Sequence, residues 1–236
     1  MADVEFAGFN AAHRFEMQRD AAFSYTCNRC KTCCRNKVIP LNPYEVLRLA
    51  QNQGLSMSEF IERRTAEGQG VALKFLPPGE GGTCVFLGEE GCTVHPDRPL
   101  ACRLYPLGRW TAGPGIEAFA RVELDPGSKG EFGDKGTIAD FLAGQGTEPY
   151  FAAAELYLYL YSKMSDIFER IEAGELSADH LPDEDWLDVE GVVARHCAAQ
   201  GLRVPANADE TARLHVEIVS GWLDLAERIA DASAKQ

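Results

Sequence analysis

Four cysteines fall within eight residues, in the run Cys27-Asn28-Arg29-Cys30-Lys31-Thr32-Cys33-Cys34, with gaps of two, two and zero. Free thiols are scarce and oxidisable, so such crowding calls for a chemical cause, and C-x2-C loops wrap a metal with a minimum of chain. Three more follow at wider spacing, Cys84, Cys92 and Cys102. Gly81-Gly82 before the first of them and Gly91 directly before the second permit tight turns, while Pro96 and Pro99 stiffen the approach to Cys102. The competing account is a buried or disulfide-bonded cluster. Met1 to Asn10 carries two acids, no basic residue and no apolar core of signal-peptide length. A cytoplasmic, reducing location is therefore expected, where thiols serve metals or catalysis more often than disulfides.

Charge narrows the classes further. The formal net charge of −13 repels phosphate backbones and anionic lipid, so general nucleic-acid binding is not expected. The most apolar stretch, Ala152 to Tyr161, is ten residues long and interrupted by Glu155. That is far short of the roughly 20 residues needed to span a bilayer, so no membrane association is expected. Around the first cysteine group the balance reverses, with Arg29, Lys31, Arg35 and Lys37 present and no acid from Cys27 to Lys37. Positive side chains favour thiolates and offset the charge of a thiolate-ligated centre. Arg98, Arg103 and Arg109 would add to this if the two cysteine groups meet.

Adjacent side chains diverge in both strand and helix, so Cys33 and Cys34 are not expected to address one compact centre easily. Seven thiols, against four per tetrahedral zinc, suit either two neighbouring sites or one cluster with spare thiols. The C-x2-C-x2-C spacing of Cys27, Cys30 and Cys33 matches three thiolates capping corners of a cubane, which favours an iron–sulfur cluster. Zinc stands as the alternative, because paired C-x-x-C elements are equally a zinc habit and the second group lacks a ferredoxin-like spacing.

The rest of the chain reads as an α+β, mainly helical protein: a metal-nucleated cysteine-cluster domain with a small β-hairpin, followed by C-terminal helices. Asn42-Pro43 caps a helix that Gly54 ends, and Ser56 to Glu59 opens another running to about Arg64. A Gly/Pro-rich break follows from Leu76 to Gly82. Gly113-Pro114-Gly115 turns a hairpin within Leu107 to Leu124. Thr137 starts a short helix. Beyond Pro149 three helices are expected, Tyr150–Ala173, Asp183–Ala199 and Ala208–Ala230, the alternating Leu156 to Tyr161 being read as helix because of its flanks. The last carries Leu214, Ile218, Trp222, Leu225 and Ile229 on one stripe, for packing within the chain or as a dimer or partner face. The domain division is 1–147, the metal-binding domain, and 148–236, the helical extension packed on it. Cys197, on a helix, is expected to be a small buried hydrophobe outside the site.

The pattern Cys27-x2-Cys30-x2-Cys33-Cys34, Cys84, Gly91-Cys92, Arg98-Pro99-x2-Cys102-Arg103-x-Tyr105-Pro106 resembles the bacterial YkgJ-type cysteine-cluster family, over roughly Tyr25 to Leu142. The resemblance implies zinc or iron chelation by the seven cysteines. Members commonly carry a further cysteine in a Cys-Pro-Gly element, where this chain has Asp125-Pro126-Gly127. Asp125 is thereby implied as a substitute ligand. The family's glycine between the second and third cysteines is absent, Lys31-Thr32 standing there. His95 occupies a position that is often aromatic or histidine, and is expected to pack or hydrogen-bond. Flagellin lysine N-methylases share the cysteine motif, which raises a methyltransferase using S-adenosylmethionine as an alternative, although no Gly-rich nucleotide loop supports it. Exchangeable thiolates would also suit metal delivery or sensing.

Overall fold

The computed structural model describes residues 14–66, 72–73, 82–113, 115–183 and 185–233. The expected break from Leu76 lies outside the described residues apart from Gly82, as does the N-terminal stretch through residue 13. Along the chain run β1 (Ala22–Thr26), α1 (Pro43–Gln53), α2 (Met57–Arg64), β2 (Thr65–Ala66), β3 (Ala72–Leu73), β4 (Leu87–Gly88), β5 (Gly91–Cys92), α3 (Leu100–Leu104), β6 (Leu107–Gly113), β7 (Ile116–Arg121), β8 (Glu131–Thr137), α4 (Ile138–Gln145), α5 (Glu148–Glu172), α6 (Val189–Gln200) and α7 (Ala208–Ser233). The architecture is mainly helical α+β, and every sheet among the described residues is a two-stranded antiparallel pair. No described helix is long and apolar enough to cross a membrane. Two compact units emerge, one drawn from Met1–Leu41 and Glu59–Phe151, the other from Asn42–Ser58 and Ala152–Gln236.

The first unit is built on two ladders. The expected hairpin forms as β6 and β7, paired from Leu107↔Arg121 to Gly113↔Ile116. The second ladder was not legible in the sequence: β1 pairs with β8, Ala22 opposite Thr137 and Thr26 opposite Glu131. Both sides of that ladder are short and rich in small or polar residues, so neither announces a strand. Phe23, Leu104, Leu107, Phe119, Ile138, Leu142 and Phe151 form the core between the ladders, α3, α4 and the start of α5. Thr137 caps α4 through a reciprocal box with Asp140. Glu117 accepts from Arg19 and from Arg109, the latter at 2.6 Å, and Arg109 lies over the Phe151 ring.

In the second unit α1 packs on α6 and α7. Asn42 accepts from the Glu45 amide while Glu45 reaches back to the Asn42 amide, and Gly54 ends α1 in a left-handed conformation at φ 64°. Tyr44, Val46, Leu47, Leu49 and Ala50 are buried. Leu156 to Tyr161 is helical, within α5. The second of these expected helices starts later than Asp183, because Asp188 supplies the cap and the preceding turn is held by the Trp186 indole donating to the Pro182 carbonyl at 3.0 Å. The buried face of α7 is Ala212, Val216, Val219, Leu223, Ala226 and Ala230. The expected stripe flanks it instead: Ile218 is buried, whereas Leu225 is 48% exposed. Small alanines fill the true seam, and counting only large apolar residues rotated the reading by part of a turn. Cys197 is buried on α6, as expected.

Candidate metal centre

The first cysteine group follows directly from β1. Because Thr26 pairs with Glu131, the chain leaving β1 lies beside the chain entering β8, and Asn28 donates to the Lys129 carbonyl at 2.6 Å. Arg29 and Lys31 then take left-handed conformations, φ 50° and 64°. Lys31 does so at a position where glycine would adopt this conformation at least cost. A 3-10 turn, Thr32–Cys34, ends the group. There the Cys33 and Cys34 thiols hydrogen-bond each other. The tight turn keeps these two neighbours together.

The two groups meet through backbone. Arg35 forms an antiparallel bridge with Thr83, the Cys84 amide donates to the Cys34 carbonyl at 2.9 Å, and the Asn36 amide donates to the Gly82 carbonyl at 2.8 Å. Gly82 takes a left-handed conformation at φ 54°, with a β-carbon there set to stand 1.7 Å from the Asn36 side-chain oxygen, so this crossing favours glycine. The β4–β5 hairpin, turned through Glu89–Glu90 into Gly91 at φ 125°, sets Cys92 opposite Leu87 and within electrostatic reach of Cys84. Cys102 rides on α3 and is exposed, as is Cys27.

Cys33 is the hub. It interacts electrostatically with Cys34, Cys30 and Asp125, and both Cys84 and Cys92 feel it in turn. Contact with Cys34, then burial and the surrounding acids push the Cys33 thiol strongly up. Burial raises Cys84 and Cys92, the latter against the pull of Arg98. Mutual opposition of this kind is what a cation among the sulfurs would relieve. Cys30 behaves oppositely: the Lys129 amide, then Thr32 and Ser128, draw it down to about 7. Backbone amides two residues on donate to the sulfurs of Cys30, Cys84 and Cys92 alike, from Thr32, Phe86 and Val94. Amides aimed at sulfur suit thiolates, and hence the donor set fits a thiophilic metal. As placed, no three His, Cys, Asp or Glu side chains among the described residues are gathered tightly enough to hold a metal ion.

The remaining expected participants divide. Asp125 lies in the field of Cys33, yet its carboxylate is engaged by Lys37 and lies 3.4 Å from the Tyr105 hydroxyl. His95 Nδ1 meets the Arg98 guanidinium at 3.2 Å. Since a guanidinium only donates, Nδ1 accepts and the neutral ring keeps its proton on Nε2, leaving neither nitrogen ready for a metal. Arg98 interacts with Cys102 and Cys92. Arg103 is buried and spent on the carbonyls of Pro96, Arg98 and Gln145 and on the Tyr150 hydroxyl, so it staples the loop before α3. Arg109 serves Glu117. Sequence reasoning missed Tyr25, Thr32, Ser128 and the Lys129 amide, because a hydroxyl or a main-chain donor carries no spacing signal.

With this geometry in place, residues 26–123 match the CxxCxxCC family, described as "Putative zinc- or iron-chelating domain". That segment is similar to the family, and the YkgJ-type resemblance is consistent with it. No curated protein and no solved structure matches the chain.

Proposed function

We propose that this cysteine-cluster domain holds a metal centre through thiolates gathered about Cys33, with Cys30, Cys34, Cys84 and Cys92 around it and Cys27 and Cys102 at the rim. One observation carries the reading: from Ser24 to Pro40 no residue is buried, yet Arg29, Lys31 and Asn36 within that stretch are held left-handed. Such conformations cost of order 1–3 kcal/mol each and persist only where the surroundings over-determine them. A metal drawing the sulfurs together would supply the cohesion that burial does not.

An iron–sulfur cluster is the preferred occupant and zinc the alternative. In support, the three thiols of the C-x2-C-x2-C run, Cys27, Cys30 and Cys33, all lie within electrostatic reach of the Tyr25 hydroxyl. The Asp125 carboxylate is already paired with Lys37 through Oδ1, which supports the cysteines as the primary set. The exposure of Cys27 and Cys102 favours a centre open to exchange, and with it metal delivery as a second reading.

Anaerobic purification with metal and sulfide analysis tests the proposal. Charge-transfer absorbance near 400 nm, about where iron–sulfur bands fall, with inorganic sulfide supports the cluster. Colourless protein carrying zinc overturns the preference for iron and retains the thiolate centre. Delivery predicts handover to a chelator within minutes, and an inert centre would contradict it.

A further inference from the structure

Cys30 differs from Cys84 and Cys92 in what surrounds its sulfur. All three accept the amide two residues on. Cys30 Sγ also accepts from the Thr32 hydroxyl at 3.3 Å and from the Lys129 amide at 3.4 Å, with the Ser128 hydroxyl at 4.0 Å. Two of these donors come from a strip, Ser128 to Gly130, that lies beyond the family-matched segment.

That strip is held in place from every side. A turn donates the Ser128 amide to the Asp125 carbonyl at 2.9 Å, and Lys37 pairs with Asp125. Asn28 holds the far side of the Lys129 residue through its carbonyl, so Lys129 is gripped while its amide faces sulfur. Ser128 also accepts the Gly130 amide at 3.3 Å and bonds the Tyr25 hydroxyl. A β-carbon at Gly130 would fall 1.9 Å from that hydroxyl, so the strip packs against the Tyr25 ring as closely as a chain can.

We propose that Thr32 and the Ser128–Gly130 strip form the outer shell of Cys30 and make it the anchoring ligand, the thiolate that stays on the metal while the exposed Cys27 and Cys102 exchange. The inference rests on the thiolate centre proposed above. Hydrogen bonds to a coordinated sulfur fix its orientation and withdraw electron density, and outer partners of this kind set affinity as well as geometry.

Cobalt(II), added anaerobically, is the probe, because its thiolate charge-transfer band reports on the sulfur directly. In the double variant Thr32→Val, Ser128→Ala, affinity should fall about 10–100-fold at unchanged stoichiometry, the range that outer-shell partners command. The band should move to lower energy, since a sulfur stripped of donors gives up charge more easily. Each single variant should shift the same way, and Ser128→Thr, which keeps the hydroxyl, should restore both readouts. In limited alkylation of the loaded wild type, Cys30 should be the last of the seven to react, and the double variant should lose that protection. Wild-type affinity, band and alkylation order in the double variant would overturn this inference alone. A wild-type chain that takes up no metal would overturn the proposed centre and this inference with it.

Discussion

The two ends of this chain solve the problem of holding a backbone in opposite ways. In the helical unit, α6 and α7 bury Val189, Val192, Val193, Val216, Val219 and Leu223 completely or nearly so, and the helix ends are capped by side chains such as Asn42 and Asp188. Between Ser24 and Pro40, by contrast, no residue is fully buried, and the chain bends through three left-handed non-glycine residues and carries four thiols. Apolar burial contributes about 1.5–3 kcal/mol per large side chain, so the helices have their own source of stability. The cysteine stretch is held instead by polar ties, the bridge to Thr83–Cys84, the β1–β8 ladder, the Asn28 bond to the Lys129 carbonyl and the Lys37–Asp125 pair, and by whatever the sulfurs bind. A region without a core is a region whose order is conditional.

Metal removal should therefore divide the chain. A chelator added under reducing conditions should raise hydrogen exchange at least about tenfold across 27–37 and 82–104, since metal binding and local folding are one free energy. Amides of α6 and α7 should keep their protection; a uniform rise would break the contrast. Next in size, Cys33→Ser should cost more than the roughly 10–100-fold in metal affinity that outer-shell changes cost, and more than Cys27→Ser, because Cys33 faces the other inner thiols. Equal losses at the two positions, read by chelator competition, would remove the hub.

In the helical unit, Leu223→Ala should cost about 2–5 kcal/mol in thermal or denaturant unfolding and leave metal affinity unchanged. Acidification should find His215 next. Burial lowers its folded pKa against the opposing pull of the Trp186 carbonyl, Asp188 and Asp185, and its ring lies between the Tyr157 hydroxyl and the Trp186 carbonyl. Because the unfolded histidine binds a proton more readily, this contribution is complete above about pH 6.5 and is lost as pH falls through the lower folded value. His215→Gln should flatten that part of the stability profile, and an unchanged slope would contradict the assignment. The smallest effect is expected at Asn42→Ala, about 1 kcal/mol for a lost helix cap, measured by unfolding.

The same contrast decides what the sequence made legible. Helix ends are written locally, and Asn42-Pro43 with Gly54, Thr137 with Asp140, and the turn before Ile116 all appear where their residues place them. The alanine seam of α7 was hidden, since alanine carries little weight beside Leu225 or Trp222 in any hydrophobic count. The cysteines were conspicuous as chemistry, but their arrangement depends on pairings between distant residues: Arg35 with Thr83, and Thr26 with Glu131. The donors to Cys30 follow from that second pairing and from a main-chain amide, which no motif encodes. Arg103 and Arg109 show the reverse error, being cations near thiols in sequence that the fold spends on carbonyls and on Glu117.

X-ray absorption at the metal edge of anaerobically purified protein addresses the central claim most directly. Sulfur should dominate the first shell, at about 2.3 Å if the metal is zinc, with an additional metal–metal distance if it is an iron–sulfur cluster. A first shell of nitrogen and oxygen, or native protein with no metal at any edge, would contradict the account.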